Sequence, residues 1–149
     1  EVTTIDLDSH RLTLSQKFGA KYTIDLNKQS LSEYYGLFDV VIDTSGSLDA
    51  MHQSLYLSKV GGVIIWVGGV FPQQALKVDT EYVIRNILSI KGLHNYNSED
   101  FNTAVDHMTT HYHFYPYAEL INKTFSLDQI EEAFQYAIKK SPFRVALVP

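Results

Sequence analysis

Cysteine is absent from the 149 residues, which excludes a disulfide framework and leaves no thiolate to hold zinc. Such a chain fits a reducing compartment, and a cytoplasmic location is expected. A run of basic residues is missing too. The net charge is −5, and a nucleic-acid groove or a membrane-surface patch needs a stripe of lysine and arginine. Nucleic acid and membrane are therefore not expected as partners. The longest apolar stretch, Val60 to Val70, holds four glycines and is far too short to span a bilayer. No basic segment followed by an apolar one opens the chain, so no signal peptide is read. The opening Glu1-Val2-Thr3-Thr4-Ile5 lacks a methionine and is already strand-like; a piece of a longer protein is expected.

Apolar residues make up 45% and charged residues 19%, ordinary for a globular protein with a real core. Val2 to Leu7 is a β-branched strand ending in Asp6 and Asp8, and Ser9 is read as the cap of a helix that carries Leu12, Leu14 and Phe18 and stops at Gly19. Lys21 to Leu26, Phe38 to Asp43, Val63 to Val67, Ser89 to Leu93 and Phe143 to Val148 read as further strands. Helices are expected at Leu48 to Leu57, ended by Gly61-Gly62, at Glu81 to Leu88, at Ser98 to Met108, and from Ser126 to about Lys140. Helices alternating with strands that are apolar on both faces mean an α/β chain with a covered parallel sheet. Histidine and tyrosine become dense near Asn95, so residues 1–95 and 96–149 are read as separate parts.

In doubly wound sheets, ligands sit at the carboxyl ends of strands. Asp6, Thr44-Ser45-Gly46, Gly68-Gly69 and His94-Asn95 all fall at such ends. Asp6 is the sharpest of these. An acid at the tip of the second Rossmann strand accepts hydrogen bonds from both hydroxyls of an adenosine ribose and repels a 2′-phosphate. That favours NAD over NADP, although an acid placed this way also serves S-adenosylmethionine in class I methyltransferases. The Gly-rich phosphate loop, G-x-G-x-x-G, does not occur in these residues; the first Rossmann strand and its loop would precede Glu1.

His107 and His111 share a helix face at i, i+4 spacing, but no acid lies among them and His113, and they are read as structural or solvated. Ser45 has no glycine before it, so a nucleophile elbow is not read.

Together, Thr4-Ile5-Asp6-Leu7-Asp8-Ser9-His10-Arg11-Leu12 and Phe18-Gly19-Ala20, Phe38 to Gly46, Val60-Gly61-Gly62, Val67-Gly68-Gly69, and the ending Phe125-Ser126-Leu127 through Ala133-Phe134 to Arg144-Val145 resemble, in order, the medium-chain, zinc-type alcohol dehydrogenases. Val70-Phe71-Pro72 and Lys91 to Tyr96 are similar to the branch associated with phosphonate catabolism. The resemblance implies a partial Rossmann doubly wound parallel sheet, without strand one and its Gly-rich loop, plus a C-terminal helix–strand segment. It implies hydride transfer between an alcohol or aldehyde and NAD in the whole enzyme, with zinc held outside this chain and no metal ligand or catalytic residue within it. Asp6 would hold the ribose, and Arg11 would lie against that ribose or its phosphate. Thr44, Ser45 and Gly46 would line the channel from adenine to nicotinamide. Backbone groups of Val67, Gly68, Leu93 and Asn95 would border the nicotinamide, and Arg144 would reach the pyrophosphate. Dimerisation through sheet strands around Ile87 to Leu93 is also implied, and the isolated piece is expected to be inactive. The other classes weighed are a class I methyltransferase fragment and a non-enzymatic Rossmann-type nucleotide-binding or interaction domain.

Rossmann strand order is 3-2-1-4-5-6, so removing strand one leaves two facing edges. Bare apolar edges seek partners. The expectation is direct pairing of the strands around Ile5 and Val40, or completion of the sheet by another chain.

Overall fold

Residues 1–149 are all described by the computed structural model. The β-branched opening forms β1 (Thr3–Asp6), and the helix that follows, α1 (Ser9–Lys17), leads into β2 (Tyr22–Asp25). The helix includes Ser9, so the cap position falls one residue earlier than the sequence suggests. Gly19 sits at φ 97°. Its amide donates to Gln16 O and that of Ala20 to Ser15 O, each at 3.0 Å. These two bonds are a Schellman C-cap, which needs the left-handed conformation glycine adopts without strain. β1 pairs with β2 alone. The carbonyl of Val2 accepts from Lys21 and Tyr22, and that of Asp6 from Leu26, so the two strands run parallel.

The chain next forms β3 (Phe38–Asp43), α2 (Leu48–Leu57), β4 (Ser58–Trp66), α3 (Thr80–Arg85) and β5 (Ser89–Gly92). The three strands make one parallel sheet in the order β3-β4-β5. Met51, Leu55 and Leu57 of α2 are buried together with Ile64 of β4. Burying a side chain the size of Leu55 contributes about 2 kcal/mol before entropy is counted. The indole Nε1 of Trp66 donates to Ser54 Oγ at 3.1 Å, and that hydroxyl donates to Met51 O at 2.6 Å. This satisfies the polar atoms that the helix brings under the sheet. Val40 and Ile42, two residues apart on the other side of β3, stay exposed.

Gly61-Gly62 does not end α2. The helix stops at Leu57, and the doublet lies inside β4, where the ladder steps from Phe38–Ser58 to Val40–Val63. The strand thus holds extra residues opposite β3, and Gly61 at φ 78° makes the bulge. A glycine pair punctuates strands as well as helices, and here it serves the strand. Ile87, just before β5, has φ 53°, a strained conformation for a β-branched residue.

The remaining elements are α4 (Ser98–His111), β6 (Ile121–Ser126), α5 (Ile130–Lys140) and β7 (Arg144–Val148), with β6 and β7 paired in parallel. A capping box between Ser126 and Gln129 opens the last helical segment. Phe125 and Ala133 are buried, and Lys123 Nζ lies 4.5 Å from the centre of the Phe125 ring. Phe18 stacks on Tyr115 and meets Tyr117 edge-on. Tyr112, Phe114, Leu127, Phe134 and Ile138 are exposed.

Two compact units result. One comprises residues 1–4, 10–23 and 98–149, the other residues 5–9 and 24–97. Every ladder is parallel and helices intervene between strands, the α/β pattern that the sequence implies. The expected direct pairing of strands around Ile5 and Val40 does not occur: β1 bonds to β2, β3 to β4, and three separate sheets result. An edge carrying exposed Val40 and Ile42 is left without a strand beside it. No helix is long and apolar enough to cross a membrane.

Candidate functional site

Asp6 ends β1 half-buried. Its Oδ1 accepts from the backbone N–H of Asp8 at 2.9 Å, a turn typical of aspartate. Oδ2 has no partner within the chain. One carboxylate oxygen is thus fixed by the turn and the other is open to a donor from outside.

The end of β3 is more elaborate. Asp43 is only 7% exposed, and the loop that follows folds back over its carboxylate. Oδ1 accepts from the amide of Ser45 at 3.1 Å and from its hydroxyl at 2.6 Å, while Oδ2 accepts from the amide of Gly46 at 3.0 Å. The carbonyl of Asp43 accepts from Val67 and Gly68 of the next strand end, at 2.9 and 3.3 Å. One residue therefore ties both strand ends together.

Gly46 and Gly68 meet where the two loops cross. A Cβ added at Gly68 would overlap the amide nitrogen of Gly46 and stand 2.6 Å from the carbonyl carbon of Thr44 and 2.7 Å from that of Ser45. Gly46 itself has φ 68°. Both positions require glycine, one for space and the other for space and backbone conformation. Backbone thus packs directly on backbone at the carboxyl ends of two parallel strands, the edge at which such sheets bind ligands.

Of the residues expected to serve a ligand, Asp6, Thr44, Ser45, Gly46, Val67, Gly68, Leu93 and Asn95 belong to one unit. The Ser45 hydroxyl donates to Asp43 and accepts from Ser47 N–H, so it is held within the loop. The amides of Val67 and Gly68 are likewise turned onto Asp43. The amide of Leu93 donates to Trp66 O at 3.0 Å, and its side chain is exposed. Asn95 sits at φ 59°, a conformation asparagine tolerates better than most residues. Arg11 and Arg144 belong to the other unit. Arg11 Nη2 donates to Ser141 O at 3.3 Å with its guanidinium 5.2 Å from the Phe143 ring centre, and Arg144 Nη1 donates to Phe143 O at 2.6 Å.

His107 and His111 stack with ring centres 4.4 Å apart, and His111 Nδ1 lies 3.0 Å from His107 O. No three potential ligands among histidine, aspartate and glutamate come together anywhere in the chain. With no cysteine either, these residues do not fit a zinc ion.

Asp43 is the residue that sequence reasoning passed over. It enters the sequence reading only as the last residue of the strand Phe38 to Asp43. The signal was its spacing: an aspartate two and three residues before Ser45 and Gly46 is placed to receive both their amides in an Asx turn.

A family model described as zinc-binding dehydrogenase matches residues 1–110. The chain belongs to the zinc-binding dehydrogenases. Within that family, it is 30% identical over 153 aligned positions to D-arabitol-phosphate dehydrogenase of Enterococcus avium, covering 98% of this chain and 42% of that protein. Its fold superposes on a Sinorhizobium meliloti protein solved with NADP, with a TM-score of 0.86 at 22% identity over 99% of this chain and 45% of the other. An alcohol dehydrogenase of Escherichia coli CFT073 solved with NADH gives a TM-score of 0.85 at 19% identity, covering 100% of this chain and 44% of the other. This zinc-binding dehydrogenase chain thus spans well under half the length of each relative.

Proposed function

We propose that this chain is the cofactor side of an NAD-dependent alcohol dehydrogenase. The observation that carries the reading is Asp6, with one carboxylate oxygen fixed by a turn and the other open at the end of a parallel strand. An ionised acceptor there can take a charge-assisted hydrogen bond from a ribose hydroxyl, which contributes about 1.5–3 kcal/mol. The contact between Gly46 and Gly68, too tight to admit a Cβ, holds the two strand-end loops together at the edge where a dinucleotide would lie. Bound NAD supplies the hydride acceptor. Thr44, Ser45, Gly46, Val67, Gly68, Leu93 and Asn95 would border it, and Arg11 and Arg144 would meet its phosphates in the whole enzyme. Residues 1–95 would form the cofactor part and 96–149 the segment returning to a catalytic domain that carries the zinc. The substrate would be a small alcohol or aldehyde, the enzyme cytoplasmic. β5 ends the order β3-β4-β5 and so leaves an edge around Ile87 to Leu93 through which two copies could pair.

The solved relatives carry both cofactors, one NADH and one NADP, and Asp6 favours the first. A 2′-phosphate would face this carboxylate directly, and like charges in contact repel. Ligand-observed NMR titrations of the chain should show AMP and NAD binding more tightly than their 2′-phosphorylated forms. Asp6→Ala should weaken NAD about tenfold and erase that preference. Equal binding of NAD and NADP by the unaltered chain, or unchanged NAD binding by Asp6→Ala, would overturn the assignment.

A further inference from the structure

Asp43 is buried, yet none of its partners is a cation. All are neutral donors of the segments it organises. Burying a carboxylate costs free energy that three good hydrogen bonds only offset, and a plain turn could be made with a neutral residue. What the carboxylate adds is rigidity and a division of roles in the loop. Ser45 turns its hydroxyl inward, donating to Asp43 and accepting from Ser47. Thr44 stands exposed, and its hydroxyl has no hydrogen bond within the chain.

We propose that Asp43 is a positioning residue for a bound dinucleotide, locking the loop so that Thr44 offers its hydroxyl to the ligand while Gly46 stays pressed on Gly68; this rests on the dinucleotide reading above. Asp43 does not touch the ligand. It acts through Thr44, whose position is set by the three bonds made by the two residues after it. A loop held in its bound shape before the ligand arrives avoids the entropy of ordering on binding.

The coupling between Asp43 and Thr44 tests this. Asp43→Asn keeps the size of the side chain but sets an N–H group against the Gly46 amide or the Ser45 donors, so at least one bond is lost. Thr44→Val removes the hydroxyl and keeps the shape. NADH dissociation constants from ligand-observed NMR on the 149-residue chain should rise about fivefold for Thr44→Val and about tenfold for Asp43→Asn. The double variant should also stay near tenfold, because an unlocked loop no longer presents Thr44 and its loss costs nothing more. Independent effects would multiply to about fiftyfold; that result, or wild-type affinity in Thr44→Val, overturns the proposal. Should Asp43→Asn fail to fold, Ser45→Ala removes one of the carboxylate's donors and replaces it in the same cycle. Absence of NADH binding by the unaltered chain overturns the dinucleotide reading and this inference together, whereas binding with multiplying effects overturns this inference alone.

Discussion

Alanine in place of Gly68 is expected to lower the melting midpoint by roughly 10 °C. The new Cβ would land on the amide nitrogen of Gly46 and within 2.6–2.7 Å of two carbonyl carbons. All of these are backbone atoms, which cannot swing aside as the end of a side chain can. The collision also pulls on the bonds from Val67 and Gly68 to Asp43. Overpacking of this kind costs about 3 kcal/mol. Gly92→Ala is the control, since nothing lies within 4 Å of a Cβ added there. Differential scanning calorimetry on the two variants compares them directly, and equal midpoints would show that the crossing of the two loops is looser than described.

Leu55→Ala is the second large effect. Leu55 is 0% exposed, and it lies on α2 together with Met51, Ser54 and Leu57, which are buried with it. Deleting most of its side chain loses the transfer term and leaves a cavity, at about 2–5 kcal/mol. Ile138, on α5, is 75% exposed, and its replacement by alanine should change stability by less than about 0.5 kcal/mol. Urea unfolding followed by circular dichroism should put the two variants far apart in midpoint, with similar slopes. A small effect at Leu55 would mean that the face of α2 toward the sheet is not the core it is taken to be.

The helices and strands were legible where one periodicity dominated. Leu48 to Leu57 repeats its apolar residues at helical spacing and is a helix over those same residues. Ser126, read as the start of the last helix, does open that helical segment, through a capping box with Gln129. Gly61-Gly62 was ambiguous because glycine serves a helix end and a strand bulge for the same reason, freedom at positive φ. Pairing between the strands around Ile5 and Val40 could not be read at all. Edges that lack a strand have an incentive to pair, but the connections and the helices packed on each sheet decide whether they can, and here they remain apart. At the site, Asp6 and the glycines stood out because their chemistry is local. Asp43 did not, since its role lies in bonds that close only once the loop has turned back on it. The placement of Arg11 beside Ser141 and Phe143 likewise depends on contacts across more than a hundred residues.

The inward turn of Ser45 and the outward stance of Thr44 carry a consequence for how this loop can diverge. Asp43 receives the backbone amides of positions 45 and 46, which any residue but proline supplies, and one side-chain donor, the Ser45 hydroxyl, while Gly46 is fixed by the backbone of Gly68. Position 44 has no such obligation. An alignment of proteins built on the same loop should therefore show an acceptor kept at 43 and glycine kept at 46 and 68, with 44 following whatever part of a ligand it faces.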